Sequence, residues 1–165
     1  MRKVSSPAEE QFIEAARTGD LSTLRALLAQ VDPRAQQSKA LAVAAMNARL
    51  QAALVLYPLS DSEAIEHWCH LRRGTDPELI LRMSEWARTG SVGPGSPSEY
   101  SRAMAIAAVE EHEGLMGILY LHCCPAEAVA YCQERAWFAA SRRLEAYFLH
   151  RATPIAKVRV EVRRL

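Results

Sequence analysis

An all-α fold of about five paired helices is what this 165-residue sequence predicts, and three observations carry that expectation. Helix-start signals recur along the chain. Apolar residues between them step at three- and four-residue spacing. One block of sequence also returns 63 positions later, which is the mark of a repeat architecture. Nothing before residue 150 alternates with period two, so no strand is expected there.

The start signals share a pattern. Ser6-Pro7-Ala8-Glu9, Ser96-Pro97-Ser98-Glu99 and Cys124-Pro125-Ala126-Glu127 read X-Pro-x-Glu. The first residue caps, proline takes the first helical position where its missing N–H costs nothing, and glutamate reaches back to the cap amide. Asp32-Pro33 and Asp76-Pro77-Glu78 are related starts with an Asp cap, and Ser60-Asp61-Ser62-Glu63 is a capping box without proline. Between them, faces such as Leu21/Leu24/Leu27/Leu28, Leu50/Ala53/Leu54/Leu56/Tyr57 and Leu115/Met116/Leu119/Tyr120 predict amphipathic helices of about 10 to 14 residues. Residues 88–97 hold three of the seven glycines and two of the eight prolines and are expected to form a long loop.

Lys39-Ala40-Leu41-Ala42-Val43-Ala44-Ala45 reappears as Arg102-Ala103-Met104-Ala105-Ile106-Ala107-Ala108, every change conservative. Ala15 to Leu21 also maps onto Ala44 to Leu50. Starts near residues 6, 32, 60, 96 and 124 are spaced by about 30, the length of one helix pair in an α-solenoid.

These blocks carry a family resemblance. Phe12 to Leu28, with Ala15-Ala16 closing one helix, Gly19-Asp20 in a tight turn and Leu27-Leu28 in the next helix, resembles the opening unit of an ankyrin-repeat protein. Glu111 to Tyr120 resembles that family's second helix, with His112 at the turn histidine. The Thr-Pro-Leu-His tetrapeptide is absent, and the turn glycine kept at Gly19 is replaced by Ala48 and Glu111. The resemblance implies an ankyrin-like solenoid over residues 1–153 whose first helices line a concave, protein-binding side. In the helix expected from Asp61 to Arg73, Ala64, Ile65, Trp68 and Leu71 form the buried stripe, leaving Glu66, His67, His70 and Arg73 as partner-binding candidates. Tyr100 and Arg102 occupy the matching helix of the next unit.

Residues 154–165 change character. Val158, Val160 and Val162 alternate with charged residues, which predicts a β-like tail that adds to a partner's sheet or pairs with its own copy, giving a homo-oligomer.

The chemistry is sparse. No P-loop, nucleophile elbow or Gly-x-Gly-x-x-Gly is present, and His112-Glu113 lacks a second histidine four residues on, where Met116 stands. No catalytic residue, metal ligand or cofactor is therefore assigned. A net charge of +1 excludes a strongly basic nucleic-acid module by bulk charge, and the doublets Arg72-Arg73, Arg142-Arg143 and Arg163-Arg164 read as solvated faces. No apolar run is long enough to span a membrane. With Cys69, Cys123, Cys124 and Cys132 taken as reduced thiols, the expectation is a cytoplasmic protein. The composition is compatible with a bacterial or phage factor exported to act on a host protein. The expected function is non-enzymatic: an adaptor or inhibitor that binds a partner protein. The alternative is a small helical enzyme or a metal or redox sensor using His67, His70 and the cysteines.

Overall fold

In the computed structural model, residues 4–70 and 75–163 are described, with side chains to Arg151. Among them are ten α-helices, two 3-10 turns and no strand. The chain divides into two compact units, Met1–Gly93 and Pro94–Leu165. The division falls inside the glycine- and proline-rich loop.

The first unit holds α1 (Pro7–Thr18), α2 (Leu21–Leu27), α3 (Ala35–Met46), α4 (Leu50–Leu56), α5 (Glu66–Cys69) and α6 (Asp76–Thr89). α1 packs on α2 and α3, while α3 packs on α4, α5 and α6, and α4 on α2 and α6. The second unit holds α7 (Pro97–Val109), α8 (Glu113–Leu119), α9 (Pro125–Glu134) and α10 (Phe138–Arg163). There α7 packs on α8, α9 and α10, and α9 on α10.

The central helix of each unit is buried nearly all round. Ala40, Ala42, Ala44 and Ala45 of α3 and Ala103, Ala105, Ala107 and Ala108 of α7 lie in the core. A single methyl group per position lets neighbouring backbones approach closely, and the remaining space is filled by Leu41 and Met104 of these helices and by large side chains from the flanking ones. Those are Phe12, Leu24, Leu50, Leu56, Ile80 and Met83 in one unit and Leu115, Met116, Leu119 and Leu144 in the other.

Four of the helix pairs are joined by one recurring turn. Its N–H groups reach back five residues: Asp20 to Ala15 O, Arg49 to Ala44 O, His112 to Ala107 O and Trp137 to Cys132 O, at 2.8–3.0 Å. The residue before each donor is left-handed: Gly19 (φ 79°), Ala48 (φ 53°), Glu111 (φ 55°) and Ala136 (φ 58°). This is the Schellman arrangement, which satisfies carbonyls that the helix end leaves open. Three of the four positions thus carry a residue that pays a steric penalty glycine would avoid. After two of the turns a side chain caps the next helix. Asp20 accepts from Thr23 N (3.1 Å) and Thr23 Oγ1 (2.6 Å), and those bonds hold its carboxyl below the usual range. His112 Nδ1 accepts from Leu115 N at 3.0 Å.

Buried serines tie one pair to the next. Ser38 Oγ accepts the amide of Asp61 at 2.9 Å, and Ser101 Oγ accepts that of Cys124 at 3.0 Å. Both spans are 23 residues, and the two serines stand 63 apart, immediately before the repeated alanine block.

The starts at Ser6 and Ser96 form as expected, each hydroxyl accepting the amide three residues on at 3.2 Å. Other expectations are corrected. Thr75, not Asp76, takes the N-cap position of α6, and its side chain makes no cap bond; Cys124, a poor capping residue, makes none either. At Asp32-Pro33 the aspartate folds onto Arg34 N, and α3 then passes through left-handed Gln36, Gln37 and Ser38 before its regular part. The long loop is 90–96, because left-handed Gly90 stops α6 and Pro97 already opens α7. Second helices α2, α4 and α8 are seven residues each, shorter than the 10 to 14 anticipated. The strand-like tail is not found: α10 continues through Arg163, so Val158, Val160 and Val162 fall in helical backbone rather than at a two-residue period. With no other strand among the described residues, a strand there would leave its amides and carbonyls unpaired, whereas a helix closes them internally. The side chains of these valines lie outside the described residues.

Truncating a core leucine tests this packing. Leu24→Ala and Leu119→Ala should each lower stability by about 2–5 kcal/mol in urea unfolding. Ser101→Ala, which orphans the Cys124 amide, should cost about 1–3 kcal/mol. Unchanged midpoints would contradict the placement of these groups.

Candidate functional site

The third first-helix is shorter than its sequence suggests. Asp61 Oδ1, not Ser60, accepts from Glu63 N at 3.1 Å, opening a 3-10 turn Glu63–Ile65 that runs into α5. Ser60 Oγ is buried without a partner, so the anticipated capping box is not made. α5 stops at Cys69 because His70 is left-handed (φ 44°), its N–H bonding Glu66 O at 3.2 Å. The helix expected through Arg73 is therefore cut short. Leu71, Arg72 and Arg73 lie outside the described residues.

The two faces of this segment separate largely as its pattern implies. Ile65 is fully buried and Ala64 and Trp68 half-buried, while Glu66, His67 and His70 are exposed. Trp68 serves as a brace. Its Nε1 donates to Gln36 O at 2.9 Å, Lys39 Nζ sits 4.9 Å over its ring, and His67 meets it edge-on at 4.9 Å. The bond to Gln36 holds the left-handed turn at 36–38, and Gln36 Nε2 in turn donates to Ser5 Oγ at 2.7 Å. Tyr100 and Arg102 are half-buried on α7, the Tyr100 ring 5.4 Å from His122. They belong to the second unit, whereas Glu66, His67 and His70 belong to the first, so each set stands as its own surface.

The histidines and cysteines do not converge. Among the described residues, no group of three or more His, Cys, Asp or Glu is placed to hold a metal ion. All four cysteines are free thiols. Burial pushes the thiols of Cys69 and Cys132 up, and that of Cys123 up to about 11, which keeps them protonated and poorly nucleophilic near neutrality. Among the described residues no helix is long and apolar enough to cross a membrane.

Sequence reading missed a second cluster, in the second unit. Trp137 and Tyr131 meet edge-on at 5.9 Å, with Arg135 4.3 Å over Tyr131 and 5.6 Å over Trp137. Arg143 bonds Ala108 O and Glu111, clamping the end of α7. Arg143 lines one cavity with Trp137 and Phe138, and Arg142 donates to the Phe138 carbonyl, while Tyr131 and Trp137 carry Arg135. The turn at Ala136 brings them together, and the spacing of Tyr131, Trp137 and Arg142 within one short stretch was the available signal.

No protein-family model matches the chain, and neither a curated protein nor a solved structure shows significant similarity to it.

Cys123 should resist alkylation by iodoacetamide at pH 7.5, its modification rising only as the pH nears 11. Peptide mass spectrometry after timed labelling of native protein checks this. Labelling of Cys123 at pH 7.5 as fast as in urea would contradict its burial.

Proposed function

We propose that this chain is a non-enzymatic protein-binding module, an ankyrin-like helical repeat that acts as an adaptor or inhibitor by occupying a partner's surface. One observation carries the reading: within each unit the first helices of successive pairs pack on one another. α1 packs on α3 and α3 on α5, as α7 does on α9, while α2, α4 and α6 form a second row. Helix pairs stacked in this order line up their first helices in a row, and the exposed side of that row, which carries Glu66, His67 and His70 in the first unit and Tyr100 and Arg102 in the second, is what a partner would meet. The ankyrin-like blocks at Phe12–Leu28 and Glu111–Tyr120 support the same reading, since their turn positions Gly19 and Glu111 are left-handed, as is Ala48 at the corresponding place between them. Raised thiol pKa values and scattered histidines give the metal or redox sensor less support.

Glu66, His67 and His70 form the binding surface of the first unit in this proposal, and Tyr100 and Arg102 that of the second. Exposed side chains can be changed at little cost to stability, His67 giving up its edge-on contact with Trp68. Glu66→Ala/His67→Ala/His70→Ala should shift the thermal midpoint little while lowering capture of the partner at least about tenfold, a loss typical of anchor residues. Affinity capture with wild type and variant, read by quantitative mass spectrometry, makes the comparison. A protein retained by the wild type and lost with the variant supports the reading. Stoichiometric zinc in the purified protein, or equal capture by both forms, contradicts it.

A further inference from the structure

We propose that the groove at the α9–α10 turn of the second unit docks a protein segment presenting an apolar side chain flanked by carboxylates. The groove is a cavity of about 310 Å3 with Val109, Ala136, Trp137, Phe138, Ala139 and Ala140 forming its apolar wall and the Arg143–Glu111 ion pair at its edge. Phe138 is 59% exposed and Val109 38%, so two large apolar side chains face water at its mouth. Trp137 is held in place: its amide closes the turn on Cys132 O at 2.8 Å, and its ring is braced by Tyr131 and Arg135. A fixed aromatic wall binds without paying to order itself, which is what makes such residues anchors.

Charge selects the occupant. Arg143 is already satisfied by Glu111 and Ala108 O. Arg142, one helical turn after Phe138, reaches only the Phe138 carbonyl through Nε at 3.4 Å, and Arg135 rests on aromatic faces. Among the described residues neither has a carboxylate partner. Two guanidinium groups beside an apolar slot match a segment whose apolar side chain enters the slot while neighbouring carboxylates take the arginines as two-pronged hydrogen bonds. The cavity is at the small end for binding sites, suited to one or two side chains rather than a whole cofactor. This surface uses none of the residues assigned to binding above and stands without that assignment.

The test uses the full-length chain, isotopically labelled, titrated with two acetylated and amidated probes, Asp-Asp-Phe-Leu-Asp-Glu and its counterpart Lys-Lys-Phe-Leu-Lys-Lys. Amide shifts should concentrate at residues 109–111 and 136–143 with the acidic probe. The lysine probe should bind at least about tenfold more weakly. Arg142→Glu and Phe138→Ala change exposed side chains, so helical circular dichroism should be retained while affinity for the acidic probe falls about tenfold each. Absent shifts at millimolar probe, equal binding of the two peptides, or unaltered affinity in both variants would overturn the proposal. So would a single-stranded oligothymidylate that displaces the acidic probe.

Discussion

Four of the helix pairs depend on a single backbone hydrogen bond that runs backwards across the turn. When the amide of Asp20, Arg49, His112 or Trp137 reaches the carbonyl five residues earlier, the chain must reverse, and it can do so only if the residue between takes a left-handed conformation. That reversal sets the second helix against the first. It also decides which carbonyls remain open, and arginines meet two of them from a distance: Arg49 donates to Arg17 O at 3.2 Å, and Arg143 to Ala108 O. A helix C-terminus carries partial negative charge, so a guanidinium there stabilises the end it covers.

With pairs fixed this way, the distance between pairs becomes the next constraint. Alanine at the centre of α3 and α7 sets it, since any larger side chain would force the neighbours apart. Close approach leaves little room for water between the pairs, so polar groups at the junction must find protein partners. Ser38 and Ser101 supply them, each holding the amide that opens the following segment. The left-handed passage through Gln36, Gln37 and Ser38 stores strain that the matching start of α7 does not, because Ser96 and Pro97 begin that helix cleanly. Its counterweights are local: the Trp68 indole on Gln36 O, the Gln36 amide on Ser5, and the Asp61 amide on Ser38.

What sequence made legible follows the same hierarchy. Caps with strong local chemistry, Ser6-Pro7 and Ser96-Pro97, could be read directly, as could the alanine block and the turn positions at Gly19, Ala48 and Glu111. Ala136 escaped because nothing about alanine advertises a left-handed turn; only the reach of Trp137 back to Cys132 shows it. The helix expected from Asp61 to Arg73 was overstated because periodicity is blind to His70 turning left-handed. The tail was read as a strand because valines alternate with charges, a local preference that yields when no neighbouring strand exists to pair with. Of the candidate site, the exposure of Glu66, His67 and His70 was legible from the helical stripe, whereas the aromatic and arginine cluster at the α9–α10 turn needed the fold to assemble it.

The account rests on four turns sharing one geometry despite having glycine at only one of them, and a glycine–alanine exchange series reads that geometry as a sign. Urea unfolding of Gly19→Ala, Ala48→Gly and Ala136→Gly is the direct measurement. Gly19→Ala should lose about 1 kcal/mol, since φ 79° strains any side chain, although Arg49, 3.2 Å from the added methyl, can move aside. The two glycine variants should gain about 0.5–1 kcal/mol by relieving the left-handed penalty at φ 53° and φ 58°. Glycine variants that instead lose about 1 kcal/mol, the cost of glycine within a right-handed helix, would contradict the shared turn.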